Sequence, residues 1–431
     1  MRATNWARNH RWQPAARAVP ATEAEVVALV AQARERGHRV KAIGAGHSWS
    51  DAAVTAGTQV SLDGLRRVLA VDLATGCVRV EAGIRLHELS TALAPHGLTL
   101  QNLGSIAQQS LAGAIATATH GTGLNNGHLG TQIVGARVVT GTGAVVSLDA
   151  QDQRLDAVRV HLGALGVVTE LTVAAVPAFD LEEQAETRPV AEVIAELDAI
   201  RASAEWVKLW WIPHTGQVQI YRWSRTSAPR RARGGLAGLL ERNTRLSYGP
   251  ILALGGLVPS LIPSLNRSVF RTSFGTWSRV EPSNRVFSMA MPPRHRELGY
   301  GIPIARTAEA LAWTVEHVER ESVRVDFIFE LRFVRGDTAW MSPAHGRDVC
   351  QIGAYVARSP DRARFFAAFE EHMLALDGRP HWGKEFSVGH ELLRARLPEF
   401  DRFDALRRQW DPAGVFDNAF TDRVLGPRAS A

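Results

Sequence analysis

The sequence predicts a two-domain α/β protein, and three observations lead there. The chain has 431 residues, more than a single hydrophobic core usually organises. Its first 177 residues alternate short strand and helix signals separated by glycine-rich turns. After Pro177 the composition changes, first to an acidic stretch and then to aromatic strands. A hydrophobic fraction of 45% with 21% charged residues fits a soluble globular protein.

The elements follow in order. Thr22 and Glu25 form a capping box ahead of the apolar run Val26, Val27, Leu29, Val30, and Gly37 stops that helix. RVKAI, 39–43, reads as a strand. TQVSLDG, CVRVEAG and the pair IVGARVVT and AVVSL around Gly141-Thr142-Gly143 are further strands. LHELSTAL, 86–93, is a short helix ended by Pro95 and Gly97. ELTVAAVP closes the first region, and FDLEEQAETRP reads as a linker. A helix at about 189–203 precedes the strands VKLWWIP and QVQIYRW. A helix over 307–321 leads into one long strand, VRVDFIFELRFV, and another helix covers about 360–376.

Several function classes fall away. Cys77 and Cys350 are the only cysteines, too few for a disulfide framework, which fits a reducing cytoplasm. MRATNWARNHRW has no apolar core, so no signal peptide is expected. The net charge of +6 is almost wholly arginine, because Lys41, Lys208 and Lys384 are the only lysines. The one basic stretch, Arg222 to Arg233, reads as a solvated loop, and no nucleic-acid partner is expected. The apolar segment 249–265 is shorter than a membrane span and is interrupted by Pro259 and Pro263. It reads as a buried segment or a lid; no transmembrane segment and no peripheral membrane contact are expected.

Candidate chemistry starts at AIGAGHSWSD, 42–51. Gly44 and Gly46 supply two glycines of a dinucleotide fingerprint, but Trp49 stands where the third belongs. The turn could still offer backbone N–H groups to a pyrophosphate, or His47 could simply be a turn residue. No metal-ligand partner stands near His47, and no metal is expected. A second small-residue loop, QNLGSIAQQSLAGAIATATHGTG, spans 101–123, and the two together suit a large dinucleotide. Farther on, period-two alternation puts Phe327, Phe329, Leu331 and Phe333 on an apolar face. Asp326, Ile328, Glu330 and Arg332 fall on the other, with Glu330 and Arg332 about 7 Å apart. That pair fits either a cleft with perturbed ionisation or a solvated salt bridge.

GAGHSWSD, LGSIAQQSLAGAIATATHGTG and LGALGVVT, in this order, resemble the flavin domain of the vanillyl-alcohol-oxidase type, the PCMH-type FAD-binding fold. WIPHT, ELRFVRGD, SPAHGRD, RPHWGK and WDPAGVFDNAF extend the likeness over almost the whole chain. Within that superfamily the chain resembles the sugar-1,4-lactone oxidases, which include L-gulonolactone and D-arabinonolactone oxidases, with the alditol oxidases nearly as similar. The resemblance implies an FAD domain of residues 1–177 with 379–431, and an antiparallel-sheet cap of residues 178–378.

It also implies covalent FAD through a single bond at His47, since neither cysteine lies in the second loop. Such a tether would raise the flavin potential and prevent cofactor loss. Ala42, Ile43, Gly44, Ala45, Gly46, His47 and Ser48 would line the cofactor. So would Gly104, Ser105, Ser110, Gly113, Ala114, Thr117, Thr119, His120 and Gly121, with Val167 and Val168 at the adenine. Glu330, Arg332 and Lys384 would be catalytic, and Ser105 and Tyr355 would meet the substrate. The implied reaction is oxidation of a CH–OH group of a sugar lactone or polyol, with O2 giving H2O2. Two departures bear on the substrate. Phe386 replaces a histidine common in the lactone oxidases, and Tyr355 stands where histidine or threonine is expected. They leave open an alditol oxidase, a tailoring oxidase of a secondary-metabolite sugar alcohol, or a dehydrogenase with another acceptor.

Overall fold

The computed structural model describes residues 2–242 and 244–428. The N-terminal half builds a three-stranded and a five-stranded sheet, beside two two-stranded ribbons. Ala16–Ala18, Thr58–Ser61 and Val40–Ile43 pair in parallel, with Thr58–Ser61 in the middle. The connecting helix, Glu23–Glu35, is capped as expected: Thr22 accepts a hydrogen bond from the Glu25 N–H. The second sheet is antiparallel, in the order Val145–Leu148, Ile133–Val139, Val167–Ala174, Cys77–Glu81, Val68–Asp72. Its first hairpin turns through Gly143, whose φ of +84° requires glycine.

The other half is an eight-stranded antiparallel sheet. Its order is Trp277–Pro282, Asp180–Pro189, Gln217–Thr226, Trp206–Ile212, Phe329–Val334, Val349–Val356, Arg296–Pro303, Arg379–Pro380. One face is apolar and carries Leu209, Trp211, Phe329, Leu331 and Phe333 against the helices Val190–Ala195, Leu197–Arg201, Thr307–Arg320 and Arg362–Ala375. The opposite face looks into a large cavity. The C-terminal segment packs with the first half: Phe403, Trp410, Phe416 and Phe420 join the core that contains Val26, Val60 and Val138. Lys41, 1% exposed, fastens it by donating to the carbonyls of Gly163 and Phe416, each at 3.0 Å.

Four expectations are corrected. FDLEEQAETRP is not a linker but the long strand Asp180–Pro189, paired on both sides. Its carboxylates hid the alternation that buries Leu181, Glu183 and Ala185. The helix expected at 189–203 is two short helices, parted at Glu196, whose φ of −108° and ψ of 17° break the helical run. The long strand 323–334 is ordered as a strand only over Phe329–Val334. Phe327 therefore leaves the apolar face and stacks on His295 beside the cavity, with ring centroids 5.0 Å apart. The basic stretch 222–233 starts inside the strand Gln217–Thr226, and Arg230 and Arg231 engage Asp180 and Ser278. The apolar segment 249–265 belongs to the helices Thr244–Leu257 and Ile262–Ser273. Ile251, Leu252 and Val269 line the cavity, while Leu254 and Leu257 face out. No helix among the described residues is long and apolar enough to cross a membrane.

Glu183 shows how the acidic strand is kept. It is 2% exposed, accepts a hydrogen bond from Trp223 Nε1 at 2.9 Å and contacts the Arg279 guanidinium. Removing one partner of a buried pair leaves the other charge uncompensated. Glu183→Ala should therefore cost about 3 kcal/mol of stability. A urea titration should show a lower midpoint at unchanged slope, and an unchanged midpoint would refute a buried ion pair here.

Candidate active site

The two small-residue loops face a common space. A cavity of about 1490 Å³ is lined by His47, Ser48, Gly104, Ser105, Thr117, Thr119 and His120 from the first half. Glu330, Arg332, Tyr355 and Lys384 line it from the sheet and the loop that follows. A smaller cavity of about 100 Å³ adjoins the first loop, lined by Ala42, Ile43, Gly44, Ala45, Gly46, His47 and Ser48 with Ser110, Gly113 and Val168. Ala114, Gly121 and Val167 line neither; Ala114 and Val167 are fully buried core residues.

The first loop is shaped for a large polar ligand. Gly46 has φ +68°, and a Cβ on Gly44 would collide with Ser110 Oγ, so the two loops touch only because glycine is there. Among the described residues no backbone carbonyl accepts from the N–H groups of Ala45, Gly46, His47 or Ser48. A row of free N–H groups at a glycine turn is a cradle for phosphate oxygens. These residues therefore fit FAD. Burial, with the charge of Arg85, holds the His47 imidazole at about 4, so it is neutral at ordinary pH.

Across the cavity, Glu330 is held from three sides. Trp210 Nε1 and Arg332 Nη2 donate to its Oε1 at 2.8 and 2.9 Å, and the Tyr355 hydroxyl donates to Oε2 at 2.7 Å. Burial would raise its pKa, but the charges of Arg332 and Lys208 and these donors outweigh burial and leave it at about 2. Arg332 also donates to Ser105 Oγ and to the His120 carbonyl. Lys384 follows the turn at His381, whose carbonyl accepts its N–H, and its ammonium contacts Glu297. Burial pulls Lys384 down to about 7. The same turn is stitched to the first loop: the Trp49 N–H donates to the Gly383 carbonyl, and Trp49 Nε1 to the His295 carbonyl.

The two departures part company here. Tyr355 joins the cavity and bonds Glu330. Phe386 does not line the cavity; it packs on Trp382 and Phe420, with centroids 5.8 and 6.2 Å away. Sequence reasoning missed Trp210, Lys208, Glu297 and His295. Trp210 and Lys208 share a face by alternation within VKLWWIP, a signal that was available. Glu297 carried none, because its partner lies far along the chain.

The D-arabinono-1,4-lactone oxidase family matches residues 171–424, and the FAD binding domain family matches residues 14–149. The chain belongs to the D-arabinono-1,4-lactone oxidase family. It carries an FAD-binding domain and is an oxidoreductase. It is 38% identical over 428 residues to the L-gulono-1,4-lactone dehydrogenase of Mycobacterium tuberculosis, covering 98% of this chain and 99% of that one. It is 32% identical to the L-gulonolactone oxidase of Scyliorhinus torazame, at 98% and 97% coverage. It is 30% identical to the alditol oxidase of a Streptomyces species, at 98% of both chains. The fold is that of a cholesterol oxidase from B. sterolicum, with a TM-score of 0.87 at 19% identity, covering 99% of this chain and 96% of that one.

Two buried rings near the site make stability depend on pH. Burial holds His295 and His381 at about 4 in the folded protein, against about 6.5 when unfolded. Between those values the unfolded chain binds more protons, so stability is full above about pH 6.5 and is lost as pH falls through about 4. The loss should be on the order of 2 kcal/mol per ring at pH 5. Urea midpoints at pH 7 and pH 5 measure it, and His381→Asn should lose less on acidification. Midpoints that do not move with pH would show that the rings are not carried neutral.

Proposed function

We propose that this protein oxidises a CH–OH group of a sugar-1,4-lactone or polyol, with FAD bound covalently to His47 by a single bond. The observation that carries this reading is the placement of Glu330, Arg332, Tyr355 and Lys384 across one cavity from His47. In this reading residues 1–177 and 379–431 hold the cofactor and 178–378 cap it. The buried, neutral imidazole of His47 supports the tether, since its lone pair is free to form a bond to carbon. The bound FAD supplies the hydride acceptor for the carbinol carbon.

The protein's own residues bind and orient. A carboxylate held at about 2 is a weak proton acceptor, so Glu330 acts first by accepting a hydrogen bond from the reacting hydroxyl and aiming it. Arg332 fixes Glu330 and, with Ser105, offers donors to a neighbouring hydroxyl. Lys384 places positive charge where negative charge develops during the transfer. Tyr355 keeps the second carboxylate oxygen occupied, so only limited orientations of Glu330 remain. Oxygen is the acceptor in the preferred reading, which the names of the Scyliorhinus and Streptomyces relatives support. The Mycobacterium relative is named a dehydrogenase, which favours a second reading with a dye-like or protein acceptor.

A panel of aldonolactones and alditols, mixed anaerobically with the purified protein, should bleach the flavin. Admitting air should restore the colour with stoichiometric peroxide; reoxidation only by an artificial dye would select the dehydrogenase reading. Glu330→Gln should slow bleaching by about 10²-fold. Wild-type bleaching in that variant would remove Glu330 from the chemistry. Acid denaturation tests the tether separately: yellow fluorescence should stay with the wild-type polypeptide and leave it in His47→Ala. Complete release from the wild type would disprove a covalent bond.

A further inference from the structure

The first two strands of the chain, Ala3–Thr4 and Arg11–Trp12, pair as a short hairpin whose tip is residues 5–10. The tip is braced from within. Asn5 is 6% exposed; its Oδ1 accepts from the His10 N–H at 3.1 Å, and its carbonyl accepts from the Arg8 N–H at 3.1 Å. Its Nδ2 donates to Asn9 Oδ1. Arg8 takes φ +61°, which a residue with a side chain holds only where its surroundings impose it. At the base, Trp12 Nε1 donates to Gln59 Oε1 at 3.0 Å and fastens the hairpin to the strand Thr58–Ser61.

From this tip, donors reach the loop that carries His47. The Trp6 N–H donates to the Gly46 carbonyl at 2.8 Å, and Asn5 Nδ2 donates to the Ser48 carbonyl at 2.9 Å. Asn9 Nδ2 and His10 Nε2 both donate to the Trp49 carbonyl, each at 2.8 Å. A trans peptide points its N–H away from its C=O, and no peptide here is cis. Holding the Gly46 carbonyl on Trp6 therefore turns the His47 N–H to the other side, into the row of free N–H groups. The next bond follows the same rule: with the Ser48 carbonyl on Asn5, the Trp49 N–H reaches away to the Gly383 carbonyl at 2.7 Å. The hairpin thus decides which way the peptide planes of the loop face.

The imidazole itself has little else to direct it. Among the described residues no hydrogen bond fixes the His47 ring, and the ring beside it is Trp6, with centroids 6.1 Å apart. Trp6 is wedged edge-on against Trp49 and His295, at 5.9 and 5.5 Å. Trp6 lines the larger cavity, and Asn5 and His10 line the smaller one. A ring without a hydrogen bond takes its direction from its backbone and from the ring packed on it; the hairpin supplies both.

We propose that the hairpin tip, Asn5 to His10, is a positioning device for attachment of the flavin. Asn5, Asn9 and His10 hold the carbonyls of the loop, and Trp6 holds the ring, so that the imidazole nitrogen is aimed at the cofactor. The inference rests on the reading of His47 as the tether. Attachment replaces a C–H bond of a flavin methyl group and the imidazole N–H bond with one C–N bond. Two protons and an electron pair pass to the flavin ring system, and dioxygen removes them as hydrogen peroxide. The tip residues take no part in that exchange. They set distance and angle, where an error of about 1 Å costs on the order of 10²-fold.

The test uses the full chain, expressed under riboflavin limitation and then mixed with FAD in air. Absorbance after desalting gives total bound flavin, and fluorescence that stays with the polypeptide in acid gives attached flavin. In the wild type the two should become equal. Asn9→Ala with His10→Ala removes both side-chain donors to the Trp49 carbonyl and should slow attachment about 10-fold or more, while FAD still binds reversibly. Trp6→Ala should slow it similarly. Asn9→Ala with His10→Gln, which restores one donor, should recover most of the rate, and Trp6→Phe should stay close to wild type. Loss of total flavin in step with attached flavin, so that whatever binds is attached at the normal rate, would show a merely structural hairpin and overturn the inference. Attachment at the wild-type rate in Trp6→Ala and in the double alanine variant overturns it too, and leaves the tether reading intact. Release of all flavin from the wild type by acid defeats the tether reading and this inference with it.

Discussion

The guanidinium of Arg332 touches both halves of the molecule at once. From the large sheet it reaches Glu330 on its own strand, and across the cavity it donates to Ser105 Oγ and the His120 carbonyl of the second loop. It is 4% exposed, so these partners replace the water that its charge has lost. A planar fork with five donors can serve three groups at fixed angles, which a lysine could not do. The position of the loop relative to Glu330, and hence the shape of the cavity between them, depends on that one side chain. Glu330 depends on it too, since the neighbouring positive charge keeps a buried carboxylate ionised.

Lysine is reserved for different work. Three lysines stand among 49 lysines and arginines, and none is a surface residue. Lys41 reaches two carbonyls that no planar fork is needed to meet, and so ties the strand Val40–Ile43 to the C-terminal segment. Lys384 carries a compact charge on the turn bonded to the first loop through Trp49 and Gly383. Lys208 lies against the rings of Trp210 and Tyr221. Among the described residues the exposed cations are arginines, whereas buried ones are of both kinds, Arg332 and Arg407 beside Lys41 and Lys208.

The two sequence departures have unequal weight once the side chains are located. Phe386 packs against the core on Trp382 and Phe420, so a phenylalanine rather than the expected histidine there leaves the cavity lining untouched. Tyr355 donates to the carboxylate at the centre of the site and stacks on His295, with ring centroids 5.1 Å apart. A tyrosine at 355, rather than the expected histidine or threonine, therefore bears directly on the surroundings of Glu330. Sequence position alone ranked the two equally, because both lie within a few residues of a recognisable motif.

Much of the fold was legible locally. Thr22 caps its helix, Gly143 turns its hairpin, and alternation over Phe329–Phe333 separates the apolar face from Glu330 and Arg332, because these features depend on residues a few positions apart. The two glycine-rich loops announced a large ligand for the same reason: small residues permit close approach wherever they occur. What the sequence could not determine was set by partners far along the chain. Asp180–Pro189 looked like a linker because the neighbours that neutralise Glu183, Arg279 above all, come from other strands. Phe327 changed faces because the strand begins two residues later, at Phe329. Glu297 and Lys208 became parts of the site only when the sheet brought them beside Lys384 and Arg332. Local sequence dictates backbone preference and which face a side chain takes; whether a charge is buried, and what answers it, is decided only when the strands are assembled.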